Sequence, residues 1–292
     1  MMKAMSPKPA SPEGHTSGAR RRRWHQTLWR IVRLPLIIYL LLMVVMMFLE
    51  EKLIYFPFNN DYDDWHPASL PFEDVWFTAA DGTKLHGWYV PHENARATVL
   101  FCHGNGGNLS IRVDMLQILN RHVGVSVMIF DYRGYGRSEG KPNETGVLLD
   151  ARAARAWLAE RENIDEKEIV MMGRSLGGAV AVDLATRDGA RGLVLESTFT
   201  SLPDVAAYHY PWLPIRMLIR TRFDSLAKIT EYHGPLLQSH GEADTIVPIR
   251  FGRQLFEAAN EPKQFISFPG DDHNNLPSME YYDTLERFCD GL

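Results

Sequence analysis

The chain has 292 residues, 45% hydrophobic and 23% charged, a balance that excludes extended disorder and supplies enough apolar side chains for a core. Its net charge of −5 is unevenly spread: before Glu50 there are eight Lys and Arg against the single acid Glu13, a balance of +7, so the remainder carries −12. A basic end joined to an apolar run and an acidic body is a membrane-topology pattern and argues against nucleic acid as a partner, and two cysteines, Cys102 and Cys289, are too few for a disulfide framework.

Residues 1–19, with Pro7, Pro9, Pro12, Gly14, Ser17 and Gly18, read as disordered, because little there offsets the entropy of ordering. With the arginine cluster Arg20 to Arg23 they make a basic tail through residue 30. From Leu34 to Leu49 every residue except Tyr39 is apolar, and residues 31–49 form a stretch in which Arg33 can snorkel to the headgroups. At about 1.5 Å per residue this spans roughly 28 Å, close to a hydrocarbon core of about 30 Å. A cleavable signal peptide is the alternative, but no small-x-small cleavage site follows; the run continues into Glu50, Glu51, Lys52 and Leu53. The expectation is an uncleaved single-pass anchor, with the arginine-flanked N-terminus cytoplasmic and the C-terminal body on the far side of the membrane.

Beyond the anchor, Val75 to Ala79 and Lys84 to Val90 predict a hairpin around a two-residue Asp81-Gly82 turn. Short runs rich in β-branched residues follow as strands: Ala97 to Cys102, Val125 to Phe130, Glu168 to Met172, Gly192 to Leu195, Leu236 to Ser239 and Gln264 to Phe268. Helical patterns fall between or after them: Leu109 to Arg121, Thr145 to Arg161, Ser175 to Arg187, Ile249 to Ala258, and Pro277 to Cys289 with Pro277 in the first turn. Strand and helix in alternation predict an α/β fold with a mostly parallel twisted sheet flanked by helices. No linker divides residues 50–292, so one domain is expected there, with a small cap at about 198–230. That cap carries Tyr208, Tyr210, Trp212 and Met217, aromatic and apolar groups that suit either a pocket lining or packing against the body. Its Arg216, Arg220 and Arg222 read chiefly as solvated charge.

Gly173-Arg174-Ser175-Leu176-Gly177-Gly178 sits between a predicted strand and a predicted helix, the placement of a nucleophile elbow, where small neighbours leave room for a strained serine. A serine hydroxyl is a weak nucleophile at neutral pH and needs a histidine base held by an acid. The glycine-rich stretch His103-Gly104-Asn105-Gly106-Gly107-Asn108 lacks the lysine and hydroxyl of a phosphate-binding P-loop. No Cys pair or H-E-x-x-H motif is present, so no metal and no cofactor are expected.

These stretches, together with Asp131-Tyr132-Arg133-Gly134-Tyr135-Gly136, His240-Gly241-Glu242-Ala243-Asp244 and Gly270-Asp271-Asp272-His273, resemble the α/β-hydrolase superfamily over roughly residues 53–290. The likeness is to small membrane-anchored serine hydrolases, serine-aminopeptidase-like and protein-depalmitoylase-like. The resemblance implies an α/β-hydrolase fold and a triad in the order Ser175, Asp244, His273, with Glu196 competing for the acid position and Asp271 and Asp272 as loop or solvated carboxylates. It implies an oxyanion hole from the backbone N–H groups of Leu176 and Asn105, with Gly106 as substitute for Asn105, and a packing role for His103. The expected chemistry is hydrolysis of carboxylic esters or thioesters through an acyl-enzyme on Ser175, with a small-molecule or acylated substrate near a membrane. A peptidase on the same triad and a non-catalytic scaffold are the alternatives.

Overall fold

The computed structural model describes Ala4, residues 17–57 and residues 64–292. The disordered tail expected at the start of the chain therefore lies mostly outside the described residues. The chain divides after Phe48 into two units.

The first contains a 32-residue helix, α1 (Ser17–Phe48). Its stretch Trp29–Phe48 has a mean hydropathy of 2.6 and is long and apolar enough to cross a bilayer. The helix starts at Ser17, inside the segment assigned to the tail through residue 30. Arg, Leu and Trp are adequate helix formers, and extending an existing helix adds a hydrogen bond for each residue fixed, so the apolar helix propagates into the basic flank.

The second unit starts with a short helix α2 (Glu50–Ile54) and a two-residue strand β1 (Phe56–Pro57). It continues through β2 (Glu73–Thr78), β3 (Lys84–Val90), β4 (Thr98–Cys102), β5 (Gly106–Gly107), α3 (Val113–Ile118), β6 (Ser126–Phe130), α4 (Glu144–Glu162), β7 (Val170–Arg174) and α5 (Leu176–Asp188). After β8 (Gly192–Glu196) come three short helices, α6 (Leu202–His209), α7 (Ile215–Leu218) and α8 (Ser225–Ile229). The chain then closes with β9 (Leu236–Gly241), α9 (Ile249–Ala258), β10 (Lys263–Phe268) and α10 (Met279–Asp290). The main sheet has eight strands in the order β10-β9-β8-β7-β4-β6-β3-β2. It is parallel from β6 to β10; β2 and β3 join as an antiparallel edge.

Alternation along the strands builds a core on each face. Leu100, Met128, Met171 and Leu193 pack with Val147 and Ala151 of α4, Val180 of α5 and Leu255 of α9. Val99, Phe101, Val127, Met172 and Val194 pack instead with Leu116 of α3 and Tyr281 and Leu285 of α10. Cys102 and Cys289 are free, buried and in different cores, and burial pushes both thiols up to about 12.

Two local expectations need correction. The hairpin turn is longer than two residues: Ala79 N–H donates to Thr83 O at 2.9 Å, closing a three-residue loop in which Gly82 supplies the φ of 89°. Pro277 precedes Ser278, the residue capping α10, and so lies outside the first turn; the ring restrains the chain before the helix without entering it.

Candidate active site

β7 is flanked by β4 and β8, and its end delivers Ser175 with φ 54° and ψ −118° before α5 begins. A non-glycine residue at that φ is strained and persists only when its surroundings over-determine it. Ser175 N–H donates to Glu196 O at 2.8 Å, while its carbonyl accepts from Gly178 N at 3.0 Å and Thr198 Oγ1 at 2.8 Å. The flanking glycines are required by space: a Cβ on Gly173 would stand 2.2 Å from Gly177 O, and one on Gly177 would stand 1.9 Å from Cys102 O.

The loops after β9 and β10 bring Asp244 and His273 together. His273 Nδ1 donates to Asp244 Oδ2 at 2.7 Å, and both residues are buried. Asp244 Oδ1 accepts from Ile246 N at 2.9 Å and Val247 N at 2.7 Å. Burial raises the Asp244 pKa, but the hydrogen bonds from His240 and His273 outweigh it and hold the carboxyl well below the usual carboxylate range. Fixing Nδ1–H on the acid leaves Nε2 of the ring as the acceptor.

Ser175 and His273 line one cavity of about 370 Å³, together with Asn105 and Leu176. No direct hydrogen bond joins the Ser175 hydroxyl to His273 among the described residues. Leu176 is the first residue of α5, where a backbone N–H has no helical acceptor. Asn105 is fixed by its side chain, which donates from Nδ2 to Ile54 O and accepts at Oδ1 from Tyr135 Oη at 2.8 Å.

The other residues singled out in the sequence lie apart from His273 Nδ1. Glu196 accepts from Tyr281 Oη at 2.6 Å, inside the protein. Asp272 Oδ1 accepts from Thr245 N and His273 N, each at 2.8 Å, so it pins the two loops to each other. Asp271 accepts from Asn275 Nδ2 at 3.1 Å. His103 is fully buried, donates from Nδ1 to Gly104 O at 2.7 Å and stacks against Tyr132; burial pushes its pKa down to about 4. Tyr208, Tyr210, Trp212 and Met217 are exposed, and the segment's contribution to the cavity comes instead from Phe199, Leu202 and Val205.

Three features were missed in the sequence. His240 is fully buried, with Nε2 at 2.7 Å from Val247 O and 3.2 Å from Asp244 Oδ2, and so braces the acid's loop; its place in the His-Gly-Glu-Ala-Asp run was the available signal. Ile54 and Phe56, in the first elements after α1, line the cavity, and Phe56–Pro57 pairs with Gly106–Gly107; a two-residue strand has no periodicity to detect. Arg112 and Arg174 also line it. A group of metal-ligand type, His122, Asp283 and Glu286, is largely exposed and already committed to ion pairs, His122 with Asp283 and Glu286 with Arg96, both at 2.7 Å.

Comparison with known proteins agrees with this architecture. Residues 93–223 match the family described as serine aminopeptidase, S33. An uncharacterised protein of Mycobacterium tuberculosis is 41% identical over 244 residues, covering 82% of this chain and 86% of the relative. The alpha/beta hydrolase domain-containing protein WAV2 of Arabidopsis thaliana is 34% identical, covering 77% and 81%. An uncharacterised membrane protein of Saccharomyces cerevisiae is 33% identical, covering 79% and 84%. Among solved structures, an esterase of Pyrococcus furiosus superposes with a TM-score of 0.65 at 22% identity, covering 80% of this chain and 97% of that one.

Proposed function

Since the chain belongs to the α/β-hydrolase family, we propose that it is a serine hydrolase that cleaves carboxylic esters or thioesters. Ser175 Oγ attacks the carbonyl carbon while His273 Nε2 takes the hydroxyl proton, the bond between them closing as substrate binds. Asp244 holds the ring's tautomer and stabilises the imidazolium that forms. Negative charge on the carbonyl oxygen is met by the N–H groups of Leu176 and Asn105. His273 then returns its proton to the departing alcohol or thiol, and water activated by the same nitrogen releases the acid.

One observation carries this reading: the 2.7 Å Asp244–His273 bond opens onto the cavity that holds a serine in a strained turn. Turnover of acyl esters and thioesters of graded chain length, wild type beside Ser175→Ala, tests it; equal rates for the two proteins on every substrate would end it. The match to serine aminopeptidase, S33 favours a second reading, amide cleavage on the same triad, and aminoacyl substrates in the same assay separate the two. A scaffold role on the same fold is the outcome if no substrate is turned over.

The apolar helix Trp29–Phe48 and the membrane relative in yeast support attachment to a membrane. The basic flank supports a single pass with a cytoplasmic N-terminus and the hydrolase on the far side.

A further inference from the structure

The geometry points to an anion-binding subsite beside the proposed nucleophile, formed by Arg112 and Arg174, that selects substrates carrying an oxyanion group, a carboxylate or a phosphate, near the scissile bond. It rests on the hydrolase reading above and supplies the substrate class which that reading leaves open.

Both arginines line the cavity that holds Ser175 and His273. Among the described residues neither has a carboxylate within 4.0 Å, whereas other part-buried arginines of the same body do: Arg133 reaches Asp150 and Arg152 reaches Asp183. Their hydrogen bonds go to main-chain carbonyls, Arg112 Nη2 to Gly106 O at 2.9 Å and Arg174 Nη2 to His273 O at 2.6 Å and Asn275 O at 3.0 Å. Arg112 Nε is buried and has no acceptor. A guanidinium is a fork of five donors matched to carboxylate and phosphate oxygens, and the N–H groups that these few carbonyls leave over on two cavity-lining arginines are what such an oxyanion would engage.

Electrostatics agree. Burial, and after it the like charge of Arg174, pushes the Arg112 pKa down. Two buried carboxyls balance part of this charge from beyond 4.0 Å, Asp131 first and then Glu196, the latter bonded to Tyr281 and itself shifted up by burial. A cavity with two cations and apolar walls such as Phe199, Leu202 and Val205 suits an acyl chain with an acidic group next to the ester.

The test uses full-length protein in neutral detergent and two matched substrate pairs: 4-methylumbelliferyl butyrate against the hemisuccinate, and monoacylglycerol against monoacylglycerol phosphate. The ratio of kcat/KM, anionic over neutral, is read within each pair, which cancels any loss from loosening the Gly106 loop. Wild type is expected to favour at least one anionic member by about 10-fold, the scale of one charge-assisted hydrogen bond. Arg112→Gln collapses that ratio through KM, and Arg112→Lys retains part of it. The pair that responds identifies carboxylate or phosphate as the source. A ratio near one in wild type, or one untouched in Arg112→Gln, overturns the subsite. If no ester is turned over, the hydrolase reading fails by itself; calorimetric titration of Ser175→Ala with monomethyl succinate and glycerol phosphate then decides the subsite, and no binding of either rejects it.

Discussion

Ser175 is held at a φ of 54° by bonds from both sides, with its hydroxyl left to the cavity. The proposed chemistry places its most sensitive single-atom dependence on Asp244 Oδ2. Replacing Asp244 by Asn leaves the shape and alters the tautomer that His273 can hold, so kcat is expected to fall by about 10³ to 10⁴-fold with KM little changed, as steady-state kinetics would show. The same carboxylate links stability to pH. Its folded pKa lies below the unfolded value, so its stabilising contribution is complete above the unfolded pKa of about 4 and is lost as pH falls through the folded value. Thermal melts of the protein between pH 6 and pH 2 should therefore drop on the acid side below about pH 4, and Asp244→Asn should flatten that drop; parallel curves would count against the assignment. At this scale the places of the candidate residues Ser175, Asp244 and His273 were legible because each follows a recognisable strand. His240 stood in the quoted His-Gly-Glu-Ala-Asp run, but its bracing role was not legible, since its partner Val247 is brought back by a loop that carries no periodic signal.

At the scale of elements, the approach of β7 to α5 depends on backbones that leave no room for a side chain. Gly177→Ala would set a Cβ 1.9 Å from a carbonyl oxygen of β4, so a loss of about 3 kcal/mol is expected in urea unfolding. The loop after β6 is fixed by charge. Arg133 bonds Asp150, which is fully buried, through Nη2 at 2.7 Å, and Asp81 through Nη1 at 2.7 Å. Removing the arginine strands a buried carboxylate, and Arg133→Ala is expected to cost about 3 to 5 kcal/mol by the same measurement. The central strands and the helices α4, α5, α9 and α10 were readable because strands buried on both faces are short apolar runs, whereas β5 was not read and α6, α7 and α8 were read only as a cap. The helix after β4 was blurred: it is a 3₁₀ turn at Leu109–Arg112, then α3, then a wide turn at Leu119–Val123 ended by Gly124 at φ 73°. The wide turn packs against α10, a contact that no local pattern encodes, whereas the 3₁₀ turn is set locally by Asn108, whose Oδ1 accepts from Ser110 N at 2.9 Å.

For the whole molecule, the segment that follows α1 belongs to the hydrolase body and holds parts of the site. Glu50 is buried and accepts from Arg220 N at 2.9 Å and Thr221 N at 2.7 Å, and Ile54 O holds Asn105. A chain beginning at Leu49 is expected to leave the membrane fraction while keeping its activity, whereas one beginning at Phe58 should lose most of that activity; fractionation followed by an ester assay on both forms checks this. The central claim is an activated serine, and labelling of the purified protein with a fluorophosphonate tests it most directly. The account predicts labelling of wild type and its loss in Ser175→Ala and His273→Ala, with all three proteins folded. A well-folded wild type that takes up no label, or labelling that survives in Ser175→Ala, would contradict it.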